Sequence, residues 1–237
     1  MITMDDVTVL LVNYRTPRLT RVCLSSLARC LPGNVPVIVV DNDAGPADET
    51  QSASFAPLLV RVVPRFPGEQ ESPSVSHGRA LDLGLAEVGT RYVLILHSDT
   101  IVRRPVAFEV LLDEIRSPDV AAVGVRTQRP RGQFRGGYRI VRNIVRYAAR
   151  RYVAAPLHLS RRRVKPLVDR YLKSFFCLWD VDVIRAHGLA FSDGDANPGY
   201  GMQDRLKPLS YRLVAVDPVR LFSAVDHLQA GTSFEAD

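Results

Sequence analysis

Cysteine is scarce in this chain: Cys23, Cys30 and Cys177 are scattered over 237 positions. Three so dispersed cannot make a disulfide framework or a structural zinc site, and their apolar surroundings assign them to core packing. Long apolar runs are also missing, and none approaches the length that spans a bilayer. The opening, MITMDDVTVLLVNY, is acidic ahead of its apolar run and lacks the basic start of a signal peptide. These absences point to a cytoplasmic protein. Glycine is absent from the first strand-to-helix turn, Asn13-Tyr14-Arg15-Thr16-Pro17. A dinucleotide fingerprint needs GxGxxG there, and a P-loop needs GxxxxGK followed by Ser or Thr. That argues against NAD enzymes, kinases and the usual methyltransferases, so any bound nucleotide is held in another way.

What is present is ordinary in amount and uneven in place. Hydrophobic residues make up 46% and charged residues 24%, which suits one large α/β domain or two small ones with an ample core. The net charge is +6, but residues 126–173 hold fifteen Arg or Lys against one acid, Asp169. That segment carries +14, so the rest of the chain sums to −8. A mildly acidic domain therefore contains one very basic stretch. Within it Arg139, Arg142, Arg146 and Arg150 recur at helical spacing, with Val141, Ile144, Val145, Ala148 and Tyr152 on another face. Such a basic amphipathic helix suits an anionic membrane or a polyanion, or a solvated face of its own domain.

Continuous apolar runs bounded by turn residues predict buried strands at 7–13, 35–41, 58–63, 92–96 and 120–125. Helices are predicted from Pro17 to about Leu31, over 74–88 and over 105–115. Thr16 is placed to cap the first helix, with Pro17 at its first position. Its packed face would carry Leu19, Val22, Cys23, Ser26, Leu27 and Cys30, and Gly84 would let the second helix approach the sheet closely. GYGMQDRLKPL predicts a short helix stopped by Pro208. YRLVAV and VRLFSAV predict late strands. The first strand, helix and second strand form a βαβ unit, so the sheet begins parallel.

The strand over 92–96 is followed by His97, Ser98, Asp99 and Thr100. In open α/β sheets ligands bind beyond the strands' carboxyl ends, which puts Asp99 at the lip of a cleft. A carboxylate there can hold a divalent cation, or Asp99 or Thr100 can cap the next helix. Asp41 ends the second strand, where it can accept a hydrogen bond from a base or ribose, or serve as a turn residue of Asp41-Asn42-Asp43. His227 follows a late strand that could return beside Asp99.

The stretches VTVLLVNYRTPRLTRVCLSSL, VPVIVVDN, HGRALDLGLAEVGTRYVLILHSDTIV and VDHLQAGTS together resemble the GT-A glycosyltransferases of family two. That group is inverting and uses nucleotide-sugar donors. The resemblance implies an α/β fold: a single GT-A-like domain with a mixed, mostly parallel sheet flanked by helices and a basic helical insertion. Residues 1–125 would bind the nucleotide sugar, 126–173 would be the insertion, and 174–237 would complete the acceptor side. Asn13, Tyr14, Arg15, Thr16 and Asp41 would contact the donor, with His77, Arg79, His97, Ser98 and Asp99. HSDT stands where the family has its DxD motif, which implies that Asp99, joined by His227, holds Mn²⁺ or Mg²⁺. His97 departs from that motif's first acid. The family's Gly-Glu-Asp is reduced to Gly201-Met202-Gln203-Asp204, which makes Asp204 the candidate base with Asp195 in reserve. The donor implied is a nucleoside-diphosphate sugar, a UDP-sugar before others.

The resemblance does not account for the basic insertion. Its charge implies an acceptor on an anionic surface: a lipid-linked glycan at the inner membrane face, or a hydroxylated or modified base of DNA. A non-catalytic sugar-nucleotide or polyanion-binding protein of the same fold is the alternative. A nucleotidyltransferase would want glycines in NYRTPR and has none.

Overall fold

Seven strands make the main sheet, in the order β3-β2-β1-β4-β7-β6-β8. They are β1 (Val7–Asn13), β2 (Pro36–Asp41), β3 (Leu59–Pro64), β4 (Tyr92–His97), β6 (Val120–Gly124), β7 (Phe176–Asp180) and β8 (Arg212–Ala215). The computed structural model describes residues 2–31, 35–43, 58–68, 70–127, 170–194 and 197–228, with positions 144, 145, 148 and 152. β3, β2, β1 and β4 run parallel, β7 lies antiparallel between β4 and β6, and β8 runs parallel to β6. β5 (Thr100–Val102) and β9 (Val225–His227) form a separate antiparallel pair.

Helices cover both faces of the sheet, which is why the central strands read as unbroken apolar runs. All seven residues of β1 are buried. Val7, Val9 and Leu11 point into one core with Cys23, Leu24 and Leu27 of α1 (Pro17–Cys30) and Phe108 and Leu111 of α3 (Val106–Ile115). Leu10 and Val12 point into the other core, with Ala80 and Leu81 of α2 (Pro73–Ala86) and with Trp179. This is the two-residue alternation of a pleated strand. Gly84 permits close approach, as the sequence suggests: a Cβ there would lie 2.3 Å from Leu10 Cδ1. α4 (Val181–Ala186), α5 (Tyr200–Leu206) and α6 (Pro218–Phe222) complete the described helices of this frame.

Several local expectations need correction. Val22 is 46% exposed, and Thr20 and Leu24 take its place on the packed face of α1. Thr16 stands at the N-cap position but its side chain makes no capping bond. Neither Asp99 nor Thr100 caps a helix: Thr100 starts β5, and Pro105 precedes α3. Pro208 does not end the helical run, which tightens into a 3₁₀ turn over Lys207–Leu209. VRLFSAV is not one strand. Asp217 accepts a hydrogen bond from Val219 N at 2.9 Å and Pro218 takes the first helical position, so α6 forms and β9 begins only at Val225.

The predicted basic helix falls mostly outside the described residues. Of its apolar face, Ile144, Val145 and Tyr152 are exposed. No helix among the described residues is long and apolar enough to cross a membrane.

Candidate active site

Parallel pairing aligns the carboxyl ends of β1, β2 and β4. Asn13 stands opposite Asp41, and Val12 opposite His97. Asp41 is 2% exposed and accepts a hydrogen bond from Asn13 Nδ2 at 3.1 Å. Asn13 Oδ1 accepts in turn from Thr16 N and Thr16 Oγ1, both at 3.3 Å, and from Thr20 Oγ1 at 2.9 Å. The asparagine thus fixes the turn that begins α1. Thr16 Oγ1 lies 3.4 Å from Ser98 Oγ, tying the β1 turn to the segment after β4. Tyr14 and Arg15 are exposed beside it. Arg15 adopts φ 55°, left-handed backbone for a residue with a Cβ, and pairs with Asp43.

The second group forms where β5 and β9 pair. Thr100 stands opposite His227, and Leu228 N donates to Asp99 O at 3.0 Å. This brings His227 Nε2 within 3.2 Å of Asp99 Oδ1, although the two residues are far apart in the chain. His97 completes the group: His97, Asp99 and His227 each offer one ligating atom, and these atoms lie within 4.8 Å of one another. Phe175 stacks on the His227 ring at 4.3 Å and 13°. His77, from α2, meets His97 edge-on at 5.4 Å and 87°. Burial holds the His77 imidazole down to about 4. Burial, reinforced by His77, also lowers His97 against the opposing pull of Asp99, so its ring is neutral near pH 7 and able to ligate.

A third network lies along the start of α2. Arg65 donates to Asn42 and, at 3.1 Å, to Ser76 Oγ; its Nη2 donates to Glu71 Oε2 at 2.6 Å. Arg79 reaches Glu71 Oε1 at 2.7 Å. Sequence reasoning places Arg79 at the donor but misses Arg65, Asn42, Glu71 and Ser76. The loop holding Arg65 and Glu71 is punctuated by Pro and Gly, which says nothing of a half-buried ion pair. A cleft of about 620 Å³ opens here, lined by Gly68, Gln70, Glu71, Ser72, Val75 and Arg79.

Asp204 belongs to a different cluster. It is exposed on α5 and accepts from Tyr171 OH at 3.1 and 2.9 Å and from Lys207 Nζ. Burial raises its pKa, but the bonds from Lys207 and Tyr171 outweigh that and leave it below the usual carboxylate range. Tyr171 stacks on Tyr200 at 4.2 Å, and Lys173 donates to Tyr200 OH at 2.6 Å. Gln203 is buried and exchanges two bonds with Leu172, at 2.8 and 3.0 Å. Asp195 lies outside the described residues.

The fold that gathers these clusters at one end of the sheet is found in known glycosyltransferases. A mannosyltransferase from Pyrobaculum calidifontis, solved in complex with GDP-Man and Mn²⁺, superposes with a TM-score of 0.61 at 17% identity. That match covers 90% of this chain but only 55% of the mannosyltransferase. The glucosyl-3-phosphoglycerate synthase of Mycobacterium tuberculosis, solved with phosphoglyceric acid, gives a TM-score of 0.53 at 20% identity, covering 96% of this chain and 74% of that one. The same synthase with Mn²⁺ and UDP-glucose gives 0.52 at 17%, covering 100% and 79%. At these identities the likeness concerns the fold. No curated protein matches the sequence. The family model described as Glycosyl transferase family 2 matches residues 8–185, three quarters of the chain, and the chain belongs to that family.

Proposed function

We propose that this chain is an inverting glycosyltransferase that moves a sugar from a nucleoside-diphosphate sugar to an acceptor hydroxyl. The observation that carries the reading is the 3.4 Å contact between Thr16 and Ser98, which joins the Asn13–Asp41 cluster to the Asp99–His227 cluster. Asp41, buried and already oriented by Asn13, accepts from the base or ribose. Tyr14, Arg15, Thr16 and Ser98 line the path from nucleoside to diphosphate, with His77 and Arg79 on the α2 side.

The family implies a divalent cation, Mn²⁺ or Mg²⁺, and the donor set of His97, Asp99 and His227 fits one. When bound, it supplies positive charge against the leaving diphosphate. Asp204 acts as base, with Asp195 in reserve: it takes the acceptor's proton as that oxygen bonds to the anomeric carbon. The carbon's bond to the diphosphate oxygen breaks on the opposite side, so configuration inverts.

The +14 carried by residues 126–173 supports an acceptor on an anionic surface. Exposure of Ile144, Val145 and Tyr152 favours a lipid-linked glycan over modified DNA, since apolar side chains can enter a membrane interface. Parallel binding to anionic liposomes and to DNA at matched ionic strength separates the two. One observation favours a non-catalytic binding protein instead: Asp204 is already engaged by Lys207 and Tyr171. The proposal is tested by screening nucleoside-diphosphate sugars for thermal stabilisation with Mn²⁺. A donor that raises Tm where its free sugar does not is expected; no response to any donor would refute the reading.

A further inference from the structure

We propose, building on that donor-site reading, that His97, Asp99 and His227 form a two-nitrogen, one-oxygen face that selects a transition-metal cation of the Zn²⁺ or Co²⁺ kind over Mg²⁺. Mg²⁺ is hard, keeps its waters and is held through carboxylates and phosphates. Imidazole suits Zn²⁺, Co²⁺ and other transition cations, whose affinities for nitrogen exceed that of Mn²⁺. With His97 in the set, two of its three ligating atoms are imidazole nitrogens. One carboxylate, Asp99, is left to attract Mg²⁺, while two nitrogens reward the softer ions.

The geometry supports ligation by both rings. Donors around a cation at ~2.1 Å stand about 3–3.5 Å apart, so atoms now within 4.8 Å close with a shift of under about 1 Å per side chain. Both rings are already oriented. His227 is stacked on Phe175, which is itself backed by Phe222 at 5.9 Å and 11°. His97 is braced edge-on by His77, and its Nε2 lies 3.1 Å from Ser174 Oγ. Strand pairing of Thr100 with His227 fixes the distance between Asp99 and His227 from the backbone.

The test is calorimetric titration of the full chain with Zn²⁺, Co²⁺, Mn²⁺ and Mg²⁺, each with and without UDP, plus the visible spectrum of the Co²⁺ form. Expected is binding of Co²⁺ and Zn²⁺ at least about 100-fold tighter than Mg²⁺, with Mn²⁺ between them. His97→Asp should narrow the Co²⁺ to Mg²⁺ ratio by about tenfold or more and alter the Co²⁺ spectrum. Equal affinity for Mg²⁺ and Co²⁺, or a ratio unmoved by His97→Asp, overturns the proposal. Should His97→Asp fail to fold, the unaltered protein's cation series decides alone. UDP binding that survives with no cation preference sinks the selectivity and leaves the donor-site reading standing; absence of cation binding together with absence of binding by UDP, GDP and the other nucleoside diphosphates sinks both.

Discussion

Replacing Asp99 with asparagine removes one negative charge and almost no volume. The Asp99 side chain is 10% exposed and lies 3.2 Å from His227 Nε2. An amide is cheaper to bury than a carboxylate, so the apo fold should be as stable as before or slightly more so. Cation binding should respond very differently. Loss of an outer-shell partner alone typically costs 10–100-fold in metal affinity, so loss of the sole carboxylate in the His97–Asp99–His227 set should cost more than about 100-fold. That corresponds to about 3 kcal/mol. A cation held by this set would supply positive charge against the diphosphate, so Mn²⁺-dependent affinity for a nucleoside diphosphate should fall by a similar factor, while affinity in EDTA should stay put. Calorimetry with and without Mn²⁺ gives both numbers on one sample, and circular dichroism checks the fold. Asp99→Asn that keeps its Mn²⁺-dependent affinity within threefold would refute the assignment of Asp99 as a ligand.

Asp204→Asn should lower kcat by orders of magnitude with little change in donor affinity, the pattern of a group used only in the transition state. If Asp195→Asn loses activity and Asp204→Asn does not, the base is Asp195. Because Lys207 and Tyr171 depress the Asp204 pKa, the acid limb of kcat should lie below the usual carboxylate range; Lys207→Met should move that limb to higher pH, and an unmoved limb contradicts the pairing. Glu71 is held at about 2 by bonds from Arg65 and then Arg79. A lowered acid contributes stability that is full above its unfolded pKa of about 4.5 and is lost as pH falls toward 2. The Tm gap between the unaltered protein and Glu71→Gln should therefore be constant above pH ~5 and shrink below it, and a gap independent of pH contradicts this. Gly84→Ala would put a Cβ 2.3 Å from Leu10 Cδ1 and 2.9 Å from Val40 Cγ2, so urea unfolding should show a loss of about 1–3 kcal/mol. No loss would mean the helix can lift from the sheet without penalty.

Much of the frame was legible because its signals are local. β1, β2 and β4 are apolar runs that end in polar residues, and those ends are where Asn13, Asp41 and His97 stand. Parallel pairing then puts the three side by side without further information. The Asp99–His227 contact was not legible in the same way. It depends on β5 pairing with β9, three-residue strands whose register no local pattern sets. The apolar content of VRLFSAV suggested a strand, but a capping aspartate and a proline at its start won over β propensity. The half-buried Arg65–Glu71 pair was hidden for a related reason: a charged residue in a Pro/Gly loop reads as solvated until the fold partly covers it. Asp204 could be picked out as a candidate base, and its i,i+3 pairing with Lys207 is local, but its engagement by Tyr171 needed the packing of α5 against the segment before β7.

The most direct measurement of the central claim is turnover of the donor without acceptor. Purified chain is incubated with each of a panel of nucleoside-diphosphate sugars, with Mn²⁺ and then Co²⁺, and release of nucleoside diphosphate is followed by chromatography. The account predicts slow release from one donor or a few, stopped by EDTA and by Asp99→Asn. Binding of a donor with no nucleoside diphosphate released under any of these conditions would contradict catalysis and leave a sugar-nucleotide-binding protein.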